Sequence, residues 1–254
     1  FTDKEELDLS DINNLYVNIS KISPHIIINC AAYTAVDKAE SEPELADLIN
    51  HQAISIISNW TSLNNCKLIH ISTDYVFNSF SKKPIKEDDP KLPINIYGKS
   101  KLLGEKSCLL NDKNAIILRT SWVYSVYGNN FVKTMIKLMK DNDYVKVIYD
   151  QIGSPTNAED LASTIISIIN FKYWYPGVYN YSNAGEVSWH DFATIIKEIG
   201  KFDCNIYPIK SSDFKTKASR PMYSVLDKTK IKEIYKINIP HYKDSLRKCL
   251  INFK

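Results

Sequence analysis

Tyr97 and Lys101 lie four residues apart in the segment PINIYGKSKLLGE, which reads as the opening of a helix near Ile96. Side chains at that spacing share one helical face. The pair has a chemical use. A phenol ordinarily keeps its proton up to about pH 10, and an ammonium one turn away lowers that value and stabilises the anion left behind. A tyrosine so tuned can protonate a carbonyl oxygen while hydride reaches the carbon. Upstream, Leu68, Ile69 and Ile71 alternate as in a buried parallel strand, and the run stops at Ser72, Thr73 and Asp74. Ligands of open α/β sheets bind at the carboxyl ends of strands. Thr73 is therefore placed to hold the same carbonyl oxygen in register with the Tyr97 hydroxyl. The spacing alone is weak: with sixteen Tyr, a Tyr-x-x-x-Lys pair would arise about twice by chance. A solvated lysine beside a half-buried tyrosine is the bland reading, and the strand ending in Ser-Thr-Asp is what tips the balance.

The elements that must position these residues follow in order. Asp11 is set to cap a helix that runs to Ile22 and ends at Ser23-Pro24. His25 to Cys30 is a fully apolar parallel strand with Asn29 to Thr34 at its carboxyl end. Pro43 opens a long helix to about Leu63 whose apolar stripe is Leu45, Leu48, Ile49, Ile56 and Ile57. Ala115 to Tyr124 is another buried strand, with its polar end at Arg119 to Trp122. Asn130 caps a helix carrying Phe131, Met135, Leu138 and Met139, and Tyr144 to Ile148 is a strand. DQIGSPT is a rigid turn where the chain leaves the sheet. A helix from Ala158 to Asn170 is apolar nearly all round, GVYNYSN is a short strand, and Ser188 with Asp191 forms a capping box for a helix ending at Gly200. The basic loop Lys210 to Arg220 suits an anionic nucleotide diphosphate, although a solvated loop is the commoner origin of any one of its lysines.

This alternation predicts an α/β protein: a Rossmann-type doubly wound parallel sheet with a smaller α/β C-terminal substrate domain. Residues 1–124, with about 142–152, are assigned to the dinucleotide-binding part, and 125–141 with 153–254 to the substrate part, the site lying between them. At 254 residues and a net charge of +3, with no basic stripe, nucleic acid is not expected as a partner. The five cysteines are scattered and form no C-x-x-C pair, and the five histidines form no ligand pattern, so neither a disulfide framework nor a metal site is expected. No apolar run is long enough to span a membrane. A reducing cytoplasm is the expected location.

STDYVF at 72 to 77 followed by PINIYGKSKLLGE at 93 to 105 resembles the extended branch of the short-chain dehydrogenase/reductase superfamily. More narrowly, AAYTAVDKAESEPE, RTSWVY, NFVKTM, DQIGSPT and RPMYS, in that order along the chain, resemble the dTDP-4-dehydrorhamnose reductases. The resemblance implies reduction of a 4-keto nucleotide sugar by NADPH or NADH. It assigns Tyr97 as proton donor, Lys101 as the group that lowers its pKa and holds the nicotinamide ribose, and Thr73 as the carbonyl's partner. It also implies cofactor contacts from Asp8, Leu9, Ala31, Ala32, Tyr33 and Thr34, and a sugar pocket of Val36, Thr73, Asp74, Tyr75 and Trp122. Tyr223 stands where the family usually has Asn, and its role is left open. A homodimer is compatible with the resemblance, though the sequence has no direct handle on oligomeric state.

Two alternatives stay open at this point: a reductase or epimerase-reductase for another 4-keto-6-deoxy sugar nucleotide, and a non-catalytic dinucleotide-binding regulatory subunit like that of methionine adenosyltransferase. No glycine precedes Gly98, so the glycine-rich turn that opens such folds is not found. FTDKEELDLS reads instead as the tail of a second strand region, and a chain shortened at its N-terminus is the expectation; a real truncation would put cofactor binding in doubt.

Overall fold

The computed structural model describes residues 2–78 and 82–251. It runs α1 (Ile12–Ile22), β1 (Ile26–Asn29), α2 (Val36–Ala39), α3 (Pro43–Asp47), a π-turn (Leu48–Gln52) leading straight into α4 (Ala53–Leu63), then β2 (Lys67–Thr73) and a 3₁₀ turn (Asp74–Val76). Next come α5 (Ile96–Asn111), β3 (Ile116–Thr120), β4 (Val123–Tyr124), α6 (Phe131–Asp141), β5 (Tyr144–Ile148), β6 (Ile152–Gly153), β7 (Thr156–Asn157) and α7 (Ala158–Ile169). The chain closes with β8 (Gly177–Asn180), β9 (Val187–Ser188), α8 (Trp189–Gly200), β10 (Asn205–Ile209), a second 3₁₀ turn (Ser211–Asp213), α9 (Thr229–Tyr235) and α10 (Tyr242–Ile251).

β1, β2, β3 and β8 lie side by side in that order, all parallel. Because side chains alternate across a strand, the central strands feed two cores. Leu68 and Ile117 pack with Leu9, Leu15, Ile19, Ile54, Ile57 and Trp60 on one face. Ile69, Ile116 and Leu118 pack with Leu161, Ile165, Ile168, Tyr179, Ile231 and Tyr235 on the other. The sheet is thus covered by helices on both sides, the doubly wound arrangement expected of apolar parallel strands. A separate core gathers α6, β5, α8 and α10 around Tyr124, Met135, Met139, Phe192, Ile196 and Leu246, and β5 pairs there with β10.

The structure divides the chain differently from the expected 1–124 with 142–152 against 125–141 with 153–254. β5 leaves the main sheet for the C-terminal core, whereas β8, α7 and α9 join the main sheet. The reason is that Val145 and Val147 alternate with exposed residues, a pattern for one buried face rather than two. The expected strand over 115–124 is broken: Trp122 adopts a left-handed φ of 50° between β3 and β4. The N-terminal residues that read as a strand tail form hydrogen-bonded turns instead, with Leu7 N donating to Asp3 O and Asp11 N to Asp8 O. Asp11 stands at the start of α1, but its carboxylate accepts from the Asn14 side chain rather than from a backbone N–H. Residues 79–81 of the polar loop before Ile96 lie outside the described residues.

Two helices bury faces other than those their hydropathy suggests. In α3 to α4 the π-turn inserts an extra residue and rotates the stripe, so Leu45 is exposed while Ala46, Asn50, Ala53, Ile54 and Ile57 are buried. α7 is one-sided, burying Leu161, Ile165 and Ile168 and leaving Ile166 in solvent. α5 buries Tyr97, Gly98, Ser100, Lys101, Gly104, Glu105 and Cys108, a face with almost no aliphatic side chain. Its glycines make this close approach possible. A Cβ at Gly104 would sit 2.0 Å from the Asn50 carbonyl oxygen, and one at Gly98 would sit 2.2 Å from that of Tyr75.

Backbone on the opposing side cannot give way as a flexible side chain can. Gly104→Ala is therefore expected to lower unfolding free energy by about 1–3 kcal/mol, measured by urea denaturation, even though alanine is the better helix former.

Candidate active site

β2 delivers Thr73 to the carboxyl end of the sheet because it pairs in register with β1 through His70 opposite Asn29, and with β3 through Thr73 opposite Thr120. Strand polarity then places Asn29, Thr73 and Thr120 along one edge. α5 crosses beside that edge, its start fixed by Asn95, whose side chain accepts from Gly98 N at 2.7 Å and donates to Ser219 O at 2.8 Å. Tyr97 and Lys101 face inward from it and are 9% and 1% exposed.

The Tyr97 ring sits edge-on to Tyr75, with centroids 5.6 Å apart, and packs with Ala39, Ala46, Tyr33 and Val36. Burial pushes its phenol up to about 12; the Thr73 hydroxyl pulls the other way and Asp74 adds to the rise. Thr73 Oγ1 donates to Asp74 Oδ1 at 3.0 Å and accepts from Tyr75 N at 3.2 Å. Asp74 is itself buried, which raises its carboxyl to about 6 against the opposing Ser224 and Thr73 hydroxyls. Lys101 Nζ donates to Ile71 O at 2.7 Å and lies 3.3 Å from His70 Nε2. Burial brings the lysine down to about 8, opposed by Glu105, Cys108 and Cys30. Lys101 is not among the groups that bear on Tyr97 in this geometry. The expected lowering of the phenol by its helical neighbour is therefore not seen here, because the ammonium carbon chain folds towards the backbone of β2.

Five of the expected residues, Val36, Thr73, Asp74, Tyr75 and Tyr97, thus come together. Ala31 to Thr34 form an open strip beyond β1, with Ala31 and Thr34 exposed. This backbone is held from two sides: Asn29 Oδ1 accepts from Ala31 N at 3.2 Å, and Asn50 accepts from Tyr33 N at 2.8 Å and donates to Tyr33 O at 3.0 Å. Asp8 and Leu9 are placed otherwise. Leu9 is a core side chain packed with Leu15 and Ile19, and Asp8 closes a local turn by accepting from Ser10 N and Oγ, which holds its carboxyl below the ordinary range. Trp122 stacks on Trp189 at 3.4 Å, and a Cβ on Gly153 would meet its ring. One face of the indole is thus occupied within the C-terminal core.

Sequence reasoning missed the groups that support the site. Arg119 and Glu105, both 2% exposed, form a bidentate pair, Nε to Oε1 at 2.9 Å and Nη2 to Oε2 at 2.7 Å, and Ser72 Oγ donates to the same Oε1 at 2.5 Å. Arg119 also donates to Glu87 O. The signal was present, since Glu105 continues the Tyr97, Lys101 spacing by one more turn. Arg220, in the basic loop assigned to an anionic ligand, is instead paired with Asp37 of α2 at 2.6 Å, and Ala218 N donates to the same carboxylate. That tie draws the loop across to the Tyr97 side of the sheet. Among the described residues no cluster of His, Cys, Asp or Glu suits a metal ion, and no helix is long and apolar enough to cross a membrane.

Comparison with known proteins adds the following. The family model described as the RmlD substrate binding domain matches residues 1–254. The chain is 37% identical over 258 residues to a dTDP-4-dehydrorhamnose reductase of Aggregatibacter actinomycetemcomitans, covering 96% of this chain and 87% of that protein. It is 40% identical over 251 residues to the spore coat polysaccharide biosynthesis protein SpsK of Bacillus subtilis, covering 97% and 86%. The crystal structure of a dTDP-4-dehydrorhamnose reductase from Bacillus anthracis in complex with NADP superposes with a TM-score of 0.94 at 39% identity, covering 98% of this chain and 88% of that one.

Removing one partner of a buried ion pair strands the other charge. Arg119→Leu should therefore destabilise the fold by about 3–5 kcal/mol in urea denaturation, far more than loss of the exposed Arg247–Asp244 pair, worth about 0–1 kcal/mol.

Proposed function

The chain belongs to the RmlD substrate binding domain family, together with the dTDP-4-dehydrorhamnose reductases, and we propose that it reduces the 4-keto group of dTDP-4-dehydro-L-rhamnose to dTDP-L-rhamnose with NADPH or NADH. The observation that carries this reading is the convergence of Thr73 and the buried Tyr97 at the carboxyl edge of the sheet, with Lys101 one turn along the same helix.

The residues present fit a dinucleotide's nicotinamide end. Ala31, Ala32, Tyr33 and Thr34 offer an open strip with small side chains, its backbone fixed by Asn29 and Asn50. Lys101 reaches the same edge. A bound nicotinamide would supply the hydride; orientation and the proton are the protein's part. Burial keeps the Tyr97 phenol protonated at neutral pH, the state a proton donor requires. As the C4=O π pair moves to oxygen, the Tyr97 O–H bond breaks and that oxygen takes the proton. Thr73 has a single hydroxyl proton: it donates this to the same oxygen in place of Asp74 Oδ1, while Tyr75 N still anchors its hydroxyl oxygen and fixes the line of approach. The phenolate left behind would be stabilised by the Lys101 ammonium once that group swings from the Ile71 carbonyl towards it, and it regains its proton from solvent.

Val36 and Tyr75, packed around Tyr97, are assigned to the sugar's surroundings with Asp74, and the free edge of Trp122 to the far side of the pocket. Asp8 and Leu9 are not assigned to the cofactor, given their structural roles. The substrate is a nucleotide sugar, and neither nucleic acid nor a membrane enters this account. A homodimer remains compatible with it.

Tyr97→Phe keeps the ring and removes the proton. Turnover of dTDP-4-dehydrorhamnose should fall by about 10²- to 10⁴-fold, while NADPH affinity measured by fluorescence titration stays unchanged. Equal turnover in the variant would rule out this assignment.

A further inference from the structure

Of the five histidines only His70 is fully buried, and its neighbours decide which ring nitrogen carries the proton. Asn29 is oriented by Ala31 N, which donates to Oδ1 at 3.2 Å; its amide nitrogen is thereby turned to His70 Nδ1 at 3.0 Å. An amide nitrogen only donates, so Nδ1 must accept, and a neutral imidazole with a bare Nδ1 holds its proton on Nε2. That N–H points at Lys101 Nζ, 3.3 Å away. An amine has a lone pair to accept it; an ammonium has three N–H groups and none. The lysine meanwhile donates to Ile71 O at 2.7 Å. The seat between His70 and Ile71 therefore matches the neutral amine and opposes the ammonium.

We infer that His70 is a positioning residue for the proton transfer: locked as its Nε2–H form by Asn29, it seats the Lys101 amine and turns the ammonium away from β2, towards Tyr97. The inference rests on the reading of Lys101 as the partner of Tyr97. It differs from a packing role because an imidazole fills the same space whichever nitrogen is protonated, and only the Nε2–H form distinguishes the two lysine states. Other titratable groups facing the lysine are Glu105 and Cys108 on α5 and Cys30 beyond β1, all favouring the ammonium. Glu105 is already committed to Arg119 of β3. Burial outweighs these groups and sets the lysine near 8, so both of its forms are reached in the working range. Burial and Lys101 hold the His70 imidazolium well below its ordinary range, so the ring stays neutral while the lysine titrates.

The test is ¹⁵N NMR of the protein labelled at histidine, recorded from about pH 6 to 9 around the neutral range of imidazole chemistry. The His70 signals are identified by their loss in His70→Gln. The expected result is a bare Nδ1 and a protonated Nε2 throughout, with the Nε2 signal moving with a midpoint near 8 and the movement absent in Lys101→Met. Asn29→Asp supplies a carboxylate that draws the proton to Nδ1 and leaves an Nε2 lone pair for the ammonium. Held at β2, that ammonium no longer reaches Tyr97, so kcat should fall by about 10-fold or more. An Nδ1–H form, an imidazolium at neutral pH, an Nε2 signal indifferent to Lys101→Met, or an unchanged kcat in folded Asn29→Asp would overturn the inference. The wild-type spectra need no turnover. Full turnover by Lys101→Met would instead remove the reading of Lys101 on which the inference stands.

Discussion

The structure depends on burying the polar face of α5. Tyr97, Lys101 and Glu105 fall one above another on that face, and each is nearly inaccessible. Burying such groups costs several kcal/mol apiece unless they are matched. Each has its match on the sheet: Arg119 and Ser72 for Glu105, the Ile71 carbonyl and His70 for Lys101, Thr73 for Tyr97. Ser100, on the adjoining face, is met by Asn50 at 3.0 Å. The partners come from β2, β3 and the π-turn, so α5 has one depth and one rotation at which all are satisfied. Gly98 and Gly104 allow that depth, since a Cβ at either would strike backbone.

A helix held this way positions chemistry without relying on ligand to order it. The Glu105–Arg119 pair anchors the turn after Lys101, and Asn95 anchors the turn before Tyr97 while also binding the loop at Ser219. Asp37 and Arg220 add a second tie between that loop and α2. The site is thus enclosed by elements distant in sequence but joined by short polar contacts. Its electrostatics follow from the same burial: a phenol kept protonated, a carboxyl at Asp74 raised, and a lysine brought into the neutral range. Asp74 and Lys101 are moved towards neutrality from opposite sides, whereas the Tyr97 phenol is moved away from it and so is kept in the proton-donor form.

Much of this was legible in the sequence, for reasons that differ by element. The parallel strands were readable because runs such as HIIIN and AIILRT are apolar on both faces, which only a covered sheet explains. The Tyr97 and Lys101 pairing followed from helical spacing, and the strand end at Thr73 from the stop of an apolar run. The misplacements also have physical causes. β5 was assigned to the main sheet because strand propensity says nothing about which sheet a strand joins. The stripe of α3 to α4 was rotated by a π-turn that no hydropathy pattern announces. The partners of α5 escaped notice because Asn50, His70 and Arg119 are joined to it by tertiary contact alone. Leu9, expected at the cofactor, is a core residue because its apolar side chain has α1 and α4 to bury against.

The central claim is that this buried edge delivers a proton to a sugar carbonyl whose carbon takes a hydride. The measurement that meets it most directly is a reaction of the protein with dTDP-4-dehydrorhamnose and NADPH deuterated at the transferring position of the nicotinamide C4, followed by mass spectrometry of the sugar nucleotide. The account predicts one deuterium retained at C4 of the sugar, in a product otherwise identical to dTDP-L-rhamnose. NADPH bound but unconsumed, or a product without deuterium, would contradict it.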